Sequence, residues 1–298
     1  MNAVPSSFRF LERISRPAPL GIMFWDFATG EAVRDGLSVT IASADRPESV
    51  CPLFANRSSV WLAERIPGLS MPDLVSGDWD ALRRSYRVRV SDALGRFVPL
   101  ELDAEFPSRG LYHWPGWAGL PQAPLAPLGK SEPPPRISPD RIPLFSAAGR
   151  TAPEGRAEVR CQLVDSETHA PASWALVTAK HKNQVRGIGL ADRDGRATLI
   201  FSYPERPTPN LANPPAIPEY RWELKLQAFY DPPAGLVPQV PNLAAVMAQL
   251  ASPRDLLAST VPPTETLPNQ QLTFGRTLVV RTGETEEGPS SSLFLAAE

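Results

Sequence analysis

Long apolar runs, histidine, cysteine and lysine are all scarce in this 298-residue chain, and each scarcity removes a class of function. No stretch of about 18 apolar residues exists, so no segment is expected to insert in a membrane as a helix. The opening residues, MNAVPSSFRFLERISRPAPLG, lack an apolar core followed by a small-residue cleavage site. They therefore do not read as a secretory signal, and residence in the cytoplasm is expected. The Asn56-Arg57-Ser58 sequon then has no meaning for glycosylation. The two cysteines, Cys51 and Cys161, fall in different halves of the chain. Two reduced, buried thiols are expected and a disulfide is not. The three histidines, His113, His169 and His181, show neither His-x-x-x-His nor His-Glu-x-x-His spacing, so no zinc site is expected. There is no Gly-x-Ser-x-Gly elbow and no phosphate-cradling Gly-x-x-x-x-Gly-Lys. A net charge of −2 argues against nucleic acid as a partner. Only 4 of the 30 basic residues are lysine and 26 are arginine. Genome composition accounts for such a bias, and so does a surface rich in interfaces, because arginine pairs bidentately and stacks on aromatics.

Proline is the residue present in excess, 35 of 298, or about 12% against the usual ~5%. Proline breaks helix interiors and central strands but suits edges, turns and spacers, so the chain reads as mainly β. Two domains are expected from the length. Residues 1–19 form an N-terminal arm, in which Phe8, Phe10, Leu11 and Ile14 either pack back on the first domain or dock on a partner. Residues 20–106 carry about six strand signals separated by turns, including Ile22 to Trp25, Leu37 to Ile41, Val60 to Leu62, Tyr86 to Val90 and Phe97 to Leu102. Residues 107–140 are a proline-rich linker by composition. Its aromatics Tyr112, Trp114 and Trp117 either lie on a domain face or form a partner-binding patch.

Residues 141–298 form the second domain. Strands are expected at Ile142 to Phe145, Ala157 to Val164, Ser173 to Ala179, Ile188 to Ala191, Ala197 to Phe201 and Tyr220 to Tyr230, with closing strands at 271–274, 277–281 and 292–295. Asp192-Arg193-Asp194-Gly195 between two strand-like runs predicts a hairpin. As a calcium loop it fails, because the twelfth position from Asp192 is Tyr203 and not a glutamate. A helical insertion is expected near 241–258, with Pro241 to Leu250 as its clear helix and Arg254 to Ala258 as a second short one. The halves repeat a pattern. Trp25-Asp26-Phe27-Ala28-Thr29-Gly30 and Val164-Asp165-Ser166-Glu167-Thr168-His169 both place Asp, then Thr three residues later, ahead of an alternating strand. Asp26 and Asp165 would begin equivalent turns.

The runs Val164-Asp165-Ser166-Glu167-Thr168 and Gly189-Leu190-Ala191-Asp192-Arg193-Asp194-Gly195-Arg196-Ala197-Thr198-Leu199 resemble the carboxypeptidase regulatory-like domain family. The resemblance spans residues 157–203 well and 20–102 loosely. It implies two tandem Greek-key, transthyretin-like β-sandwich domains of about seven strands each, with no catalytic residues, metal or cofactor of their own. The segments Arg16 to Gly21, Ile66 to Leu69 and Phe274 to Val280 are similar to accessory proteins of phage-tail-like contractile injection particles. That likeness implies a structural adaptor in a large particle, contacting other protein subunits. Candidate partner-binding residues are Phe8, Phe10, Trp114, Trp117, Leu293 and Phe294, the last two as an edge strand offered to a neighbour. Two other readings compete: a carbohydrate- or peptide-binding module using Trp114 and Trp117, and an enzyme with a long-range site, for which His169 beside Glu167 and Asp165 is the one charged cluster.

Overall fold

A computed structural model describes residues 18–63, 65–70, 78–115, 140–204, 220–233, 235–285 and 288–297. The expectations for Phe8, Phe10, Trp117 and most of the arm and proline-rich segment lie outside the described residues. The first half carries β1 (Ile22–Asp26), β2 (Glu31–Ala32), β3 (Leu37–Ser43), β4 (Arg46–Pro52), β5 (Phe54–Ala55), β6 (Val60–Leu62), β7 (Arg84–Asp92), β8 (Leu100–Phe106) and β9 (Arg141–Leu144). The second carries β10 (Arg156–Asp165), β11 (Leu176–His181), β12 (Gln184–Leu190), β13 (Arg196–Ser202) and β14 (Arg221–Phe229). It continues through α1 (Leu243–Ala248), β15 (Pro253–Arg254), β16 (Leu257–Ser259), β17 (Glu265–Thr266), β18 (Gln270–Thr273), β19 (Leu278–Val280) and β20 (Leu293–Leu295).

The architecture is mainly β, two sandwiches with one strand order. In the first, β9-β1-β6-β5 faces β4-β3-β7-β8. In the second, β13-β10-β19 faces β12-β11-β14-β18, with β20 continuing β19 beside β10. The opening strand of each sandwich pairs in parallel with its closing strand: β1 with β9, and β10 with β19 and β20. The repeated pattern of the sequence is therefore matched by a repeated topology. It is legible in the turns too. Asp26 Oδ1 accepts the Ala28 N–H at 2.9 Å and its Oδ2 accepts the Thr29 hydroxyl at 2.9 Å. Asp165 Oδ1 accepts the Glu167 N–H at 2.8 Å. Both turns close by an N–H from the residue four positions on, Gly30 or His169, to the aspartate carbonyl, each at 2.9 Å.

The strand at 141–144 corrects the expected domain layout. It does not open the second sandwich; it pairs with β1, Phe24 opposite Ile142 and Asp26 opposite Leu144, and buries Ile142, Leu144 and Phe145 in the first core. The proline-rich segment is thus an excursion within the first sandwich, between β8 and β9. The covalent connection between sandwiches is the short run 145–155. Two other expectations change. The Asp192–Gly195 turn forms, with Asp192 Oδ1 accepting the N–H groups of Asp194 and Arg196 at 2.9 Å each. It joins β12 and β13 in opposite sheets, however, so it is an arch and not a hairpin. Arg254 to Ala258 falls in β15 and β16 in place of a helix. The helix at 243–248 is capped by Asn242, whose side chain accepts the Ala244 N–H at 2.9 Å.

At one end the sheet β12-β11-β14 is apolar on both faces, while the rest of its outer face, Arg221, Glu223 and Lys225 on β14, is polar and exposed. Val177, Ala179, Leu224, Leu226 and Ala228 point into the second core. Leu176, Ile188, Leu190 and Phe229 point the other way, into the first. A bulge between Ala179 and Lys180 turns Val185 to that same side. On the inner face β12 has glycines where β13 lies against it: a Cβ on Gly187 would sit 2.5 Å from the Phe201 ring, and one on Gly189 would sit 2.9 Å from Leu199.

An ion pair locks the junction. Arg150 Nη1 and Nη2 donate to Asp26 Oδ1 and Oδ2 at 2.9 and 2.6 Å, with the two side chains only 9% and 7% exposed. Arg150 also lies over the Phe97 ring, 4.9 Å from its centre, and its carbonyl accepts Arg160 Nη2 at 3.0 Å. Cys161 is buried in the second core, and burial pushes its thiol up to about 12. Asp26→Ala strands a buried guanidinium and is expected to cost about 3–5 kcal/mol. Asp165→Ala loses turn hydrogen bonds alone and is expected to cost about 1 kcal/mol. Urea unfolding midpoints check the difference; equal losses would remove the special role of the Asp26–Arg150 pair.

Candidate functional site

β7 and β8 alternate strictly. Tyr86, Val88, Val90, Leu100, Leu102, Ala104 and Phe106 face the core, while Ser85, Arg87, Arg89, Asp103 and Glu105 face out. Across the outer face Arg89 Nε donates to Glu101 at 2.7 Å and Arg87 Nε to Asp103 at 3.3 Å. β8 is the last strand of its sheet, and its outer edge is only partly covered. The Glu101 N–H donates to the Pro241 carbonyl at 2.9 Å, and Asn242 Nδ2 donates to Asp103 Oδ2 at 2.7 Å, so the approach to α1 seals the first part. By the alternation of an antiparallel ladder, the N–H groups of Asp103 and Glu105 point to the same side as that of Glu101. Among the described residues neither has a partner there.

The chain then doubles back past this edge. Ser108 N–H donates to the Pro19 carbonyl at 3.0 Å and Tyr112 N–H to the Gly21 carbonyl at 2.7 Å. The Tyr112 ring packs 5.3 Å from Phe106, and Trp114 is buried. The Tyr112 phenol is pushed up, first by burial and then by the carboxylates of Glu105 and Asp103. Opposite, Arg109 lies over the Trp79 ring at 5.5 Å and Arg83 pairs with Asp80 at 3.0 Å. Between these walls and the open edge lies a groove of about 790 Å³. Asp78 and Glu105 line it without a basic partner among the described residues. His113 lines it too, paired with Asp140.

The structure disperses the residues expected to bind a partner. Trp114 sits in the first core at 3% exposure, so its indole anchors the 107–115 segment and is not offered to a partner. Leu293 is fully buried, and β20 pairs with β10, Leu163 opposite Leu293 and Asp165 opposite Leu295. The strand expected to be lent to a neighbour is consumed within the chain because Leu293 and Leu295 complete the second core. Phe294, between them, is half-buried and faces the His169 ring at 6.1 Å. The three histidines lie on separate elements: His113 in the segment after β8, His169 in the turn after β10, and His181 at the end of β11 with Nδ1 against the Glu223 carbonyl at 2.9 Å. Among the described residues, no group of three or more His, Cys, Asp and Glu is placed to hold a metal ion, and no helix is long and apolar enough to cross a membrane. Trp79, Arg109 and the open edge of β8 were not foreseen. The alternation Glu101-x-Asp103-x-Glu105 marks an outward acidic row, but which strand ends the sheet is a matter of topology.

No protein-family model and no curated protein matches the chain. Solved structures similar to it include a Streptococcal ancillary pilin, at 10% identity over 95% of this chain and 64% of the pilin, with a TM-score of 0.23. The minor pilin of Streptococcus agalactiae is 7% identical over 94% of this chain and 97% of its own, with a TM-score of 0.20. A 9R-lipoxygenase from Cyanothece PCC8801 is 14% identical over 45% of this chain, with a TM-score of 0.19. The chain spans only 18% of that lipoxygenase and just under two thirds of the ancillary pilin.

The two tryptophans of the region should separate in their effects. Trp114→Ala removes a core indole and is expected to cost about 3–5 kcal/mol of stability. Trp79→Ala, on the groove wall, is expected to cost less than about 1 kcal/mol. Chemical unfolding of the two variants measures this; a mild Trp114→Ala would mean that the segment is not anchored as described.

Proposed function

We propose that the chain is a non-catalytic structural subunit that joins other proteins in an assembly, with the open edge of β8 as a docking line. The observation that carries this reading is the pair of outward N–H groups, Asp103 and Glu105, without a partner among the described residues, beside a groove walled by Trp79, Arg109 and Tyr112. An extended segment of a partner adds to such an edge through its backbone, and pockets beside the edge select its side chains. Asp78 and Glu105 favour a segment carrying basic side chains. Two sandwiches joined through a shared core suit an adaptor, because a rigid body loses little freedom when it docks.

The resemblance of residues 157–203 to carboxypeptidase regulatory-like domains supports a sandwich that binds without catalysing. The likeness of Arg16 to Gly21, Ile66 to Leu69 and Phe274 to Val280 to accessory proteins of phage-tail-like contractile injection particles names the assembly to test first. On this reading the protein is made in the cytoplasm and incorporated there into the particle.

The test is sedimentation of native lysate from cells carrying either the natural chain or Glu105→Pro. Proline at an outward N–H of an edge strand removes the donor without breaking the ladder. The natural chain should travel with a megadalton particle bearing sheath and tube proteins. The variant should be released from it with an unchanged unfolding midpoint. A natural chain that runs free, at monomer or dimer size, contradicts the particle reading. A Glu105→Pro chain that stays bound contradicts the docking line.

A further inference from the structure

The two turns share Asp and Thr and differ at the other three positions, one of which is the left-handed fifth residue. Gly30 takes φ 79° in the first sandwich, a conformation glycine adopts freely. Its counterpart His169 takes φ 55°, where a side chain is strained. A residue kept in this region invites the question of what its side chain does. The His169 ring stands at the mouth of a pocket of about 610 Å³ at one end of the second sandwich. It is nearly perpendicular to the Phe294 ring, at 75° and 6.1 Å. Neither imidazole nitrogen bonds to a described residue, and the hydroxyls of Ser166, Thr260 and Thr264 that line the pocket are likewise uncommitted. Leu257 and Phe294 form the apolar wall. None of the described lining side chains carries a fixed charge.

We propose that this pocket binds a neutral saccharide. Each uncommitted hydroxyl both donates and accepts, which matches the mixed character of sugar hydroxyls, and the His169 ring nitrogens add further hydrogen-bonding groups. The Phe294 ring and Leu257 suit the C–H face of a pyranose. The absence of fixed charge among the described lining side chains disfavours phosphorylated and carboxylated ligands, whose charge would be desolvated without a partner there. The volume lies within the usual range for small-molecule sites and accommodates about one or two sugar rings. This site is remote in sequence from the β8 groove and does not depend on the adaptor reading.

The experiment is saturation-transfer NMR on the full chain with methyl glycosides of glucose, galactose, mannose and N-acetylglucosamine, and with cellobiose, lactose and chitobiose, each at about 10 mM, enough to occupy a site of millimolar Kd. At least one sugar should bind. His169→Gly, which restores the residue of the sister turn, should weaken it at least about tenfold, a loss of roughly 1.4 kcal/mol, while leaving the unfolding midpoint equal or higher. Thr264→Val, at the exposed rim, should also weaken binding without a change in stability, and it serves if His169→Gly folds poorly. Inorganic phosphate at the same concentration should not displace the sugar. The proposal is overturned if no sugar in the panel binds, if binding survives both substitutions, or if phosphate competes.

Discussion

One end of a single sheet, β12-β11-β14, has to be apolar on both faces, and the joining of the two sandwiches answers to that constraint. An outer face of a sandwich is ordinarily polar, as β7 shows with Ser85, Arg87 and Arg89. Here Leu176, Ile188, Leu190 and Phe229 occupy the face that would otherwise meet water, and the first core accepts them. The polar pair Lys180 and Gln227, Nζ to Oε1 at 2.8 Å, marks where this buried face gives way to solvent. The bulge that re-aims Val185 and the glycines that let β13 press on β12 serve the same end, since both faces must be filled without strain. The Asp26–Arg150 pair then ties the connecting run to the first sandwich, and the Arg150 carbonyl accepts from Arg160 of β10. Asp26 satisfies its own turn and Arg150 of the connecting run with the same two oxygens, so each buried charge has its partner.

The molecule uses one plan twice. The same strand order occurs twice, with the opening strand flanked in parallel by the closing one. The copies diverge where their roles differ. The Asp26 turn faces the junction and recruits Arg150, while the Asp165 turn faces outward and holds His169 at the position of Gly30. The outer face of β7 is polar along its length, whereas on β11 and β14 the counterpart face is apolar at the Leu176–Phe229 end and polar beyond it.

What the sequence revealed follows from range. Alternation is local, so the strands from Leu37, Tyr86, Ala157 and Arg221 were legible, as was the helix bracketed by Pro241 and Ser252-Pro253. The paired Asp turns were legible because side-chain-to-backbone bonds span only two to four residues. Pairing is not local. Nothing in Arg141–Leu144 says that its partner is β1, more than a hundred residues earlier, and proline-rich composition imitated an interdomain spacer. The Asp192–Gly195 turn misled because the turn chemistry of an arch and of a hairpin is alike, and the sheets on either side decide between them. The real hairpin, at Lys182 and Asn183 with φ of 49° and 62°, has no glycine to announce it. Trp114 and Leu293 went the same way: an aromatic or leucine in a segment of mixed polarity shows its burial only once the surrounding strands are placed.

The central claim is that the two sandwiches form one cooperative body through that shared sheet. Scanning calorimetry of the intact chain tests it most directly. One transition, with calorimetric and van't Hoff enthalpies equal, is predicted, because neither half keeps its core when the other unfolds. Two separable transitions would contradict the account and leave a pair of independent domains.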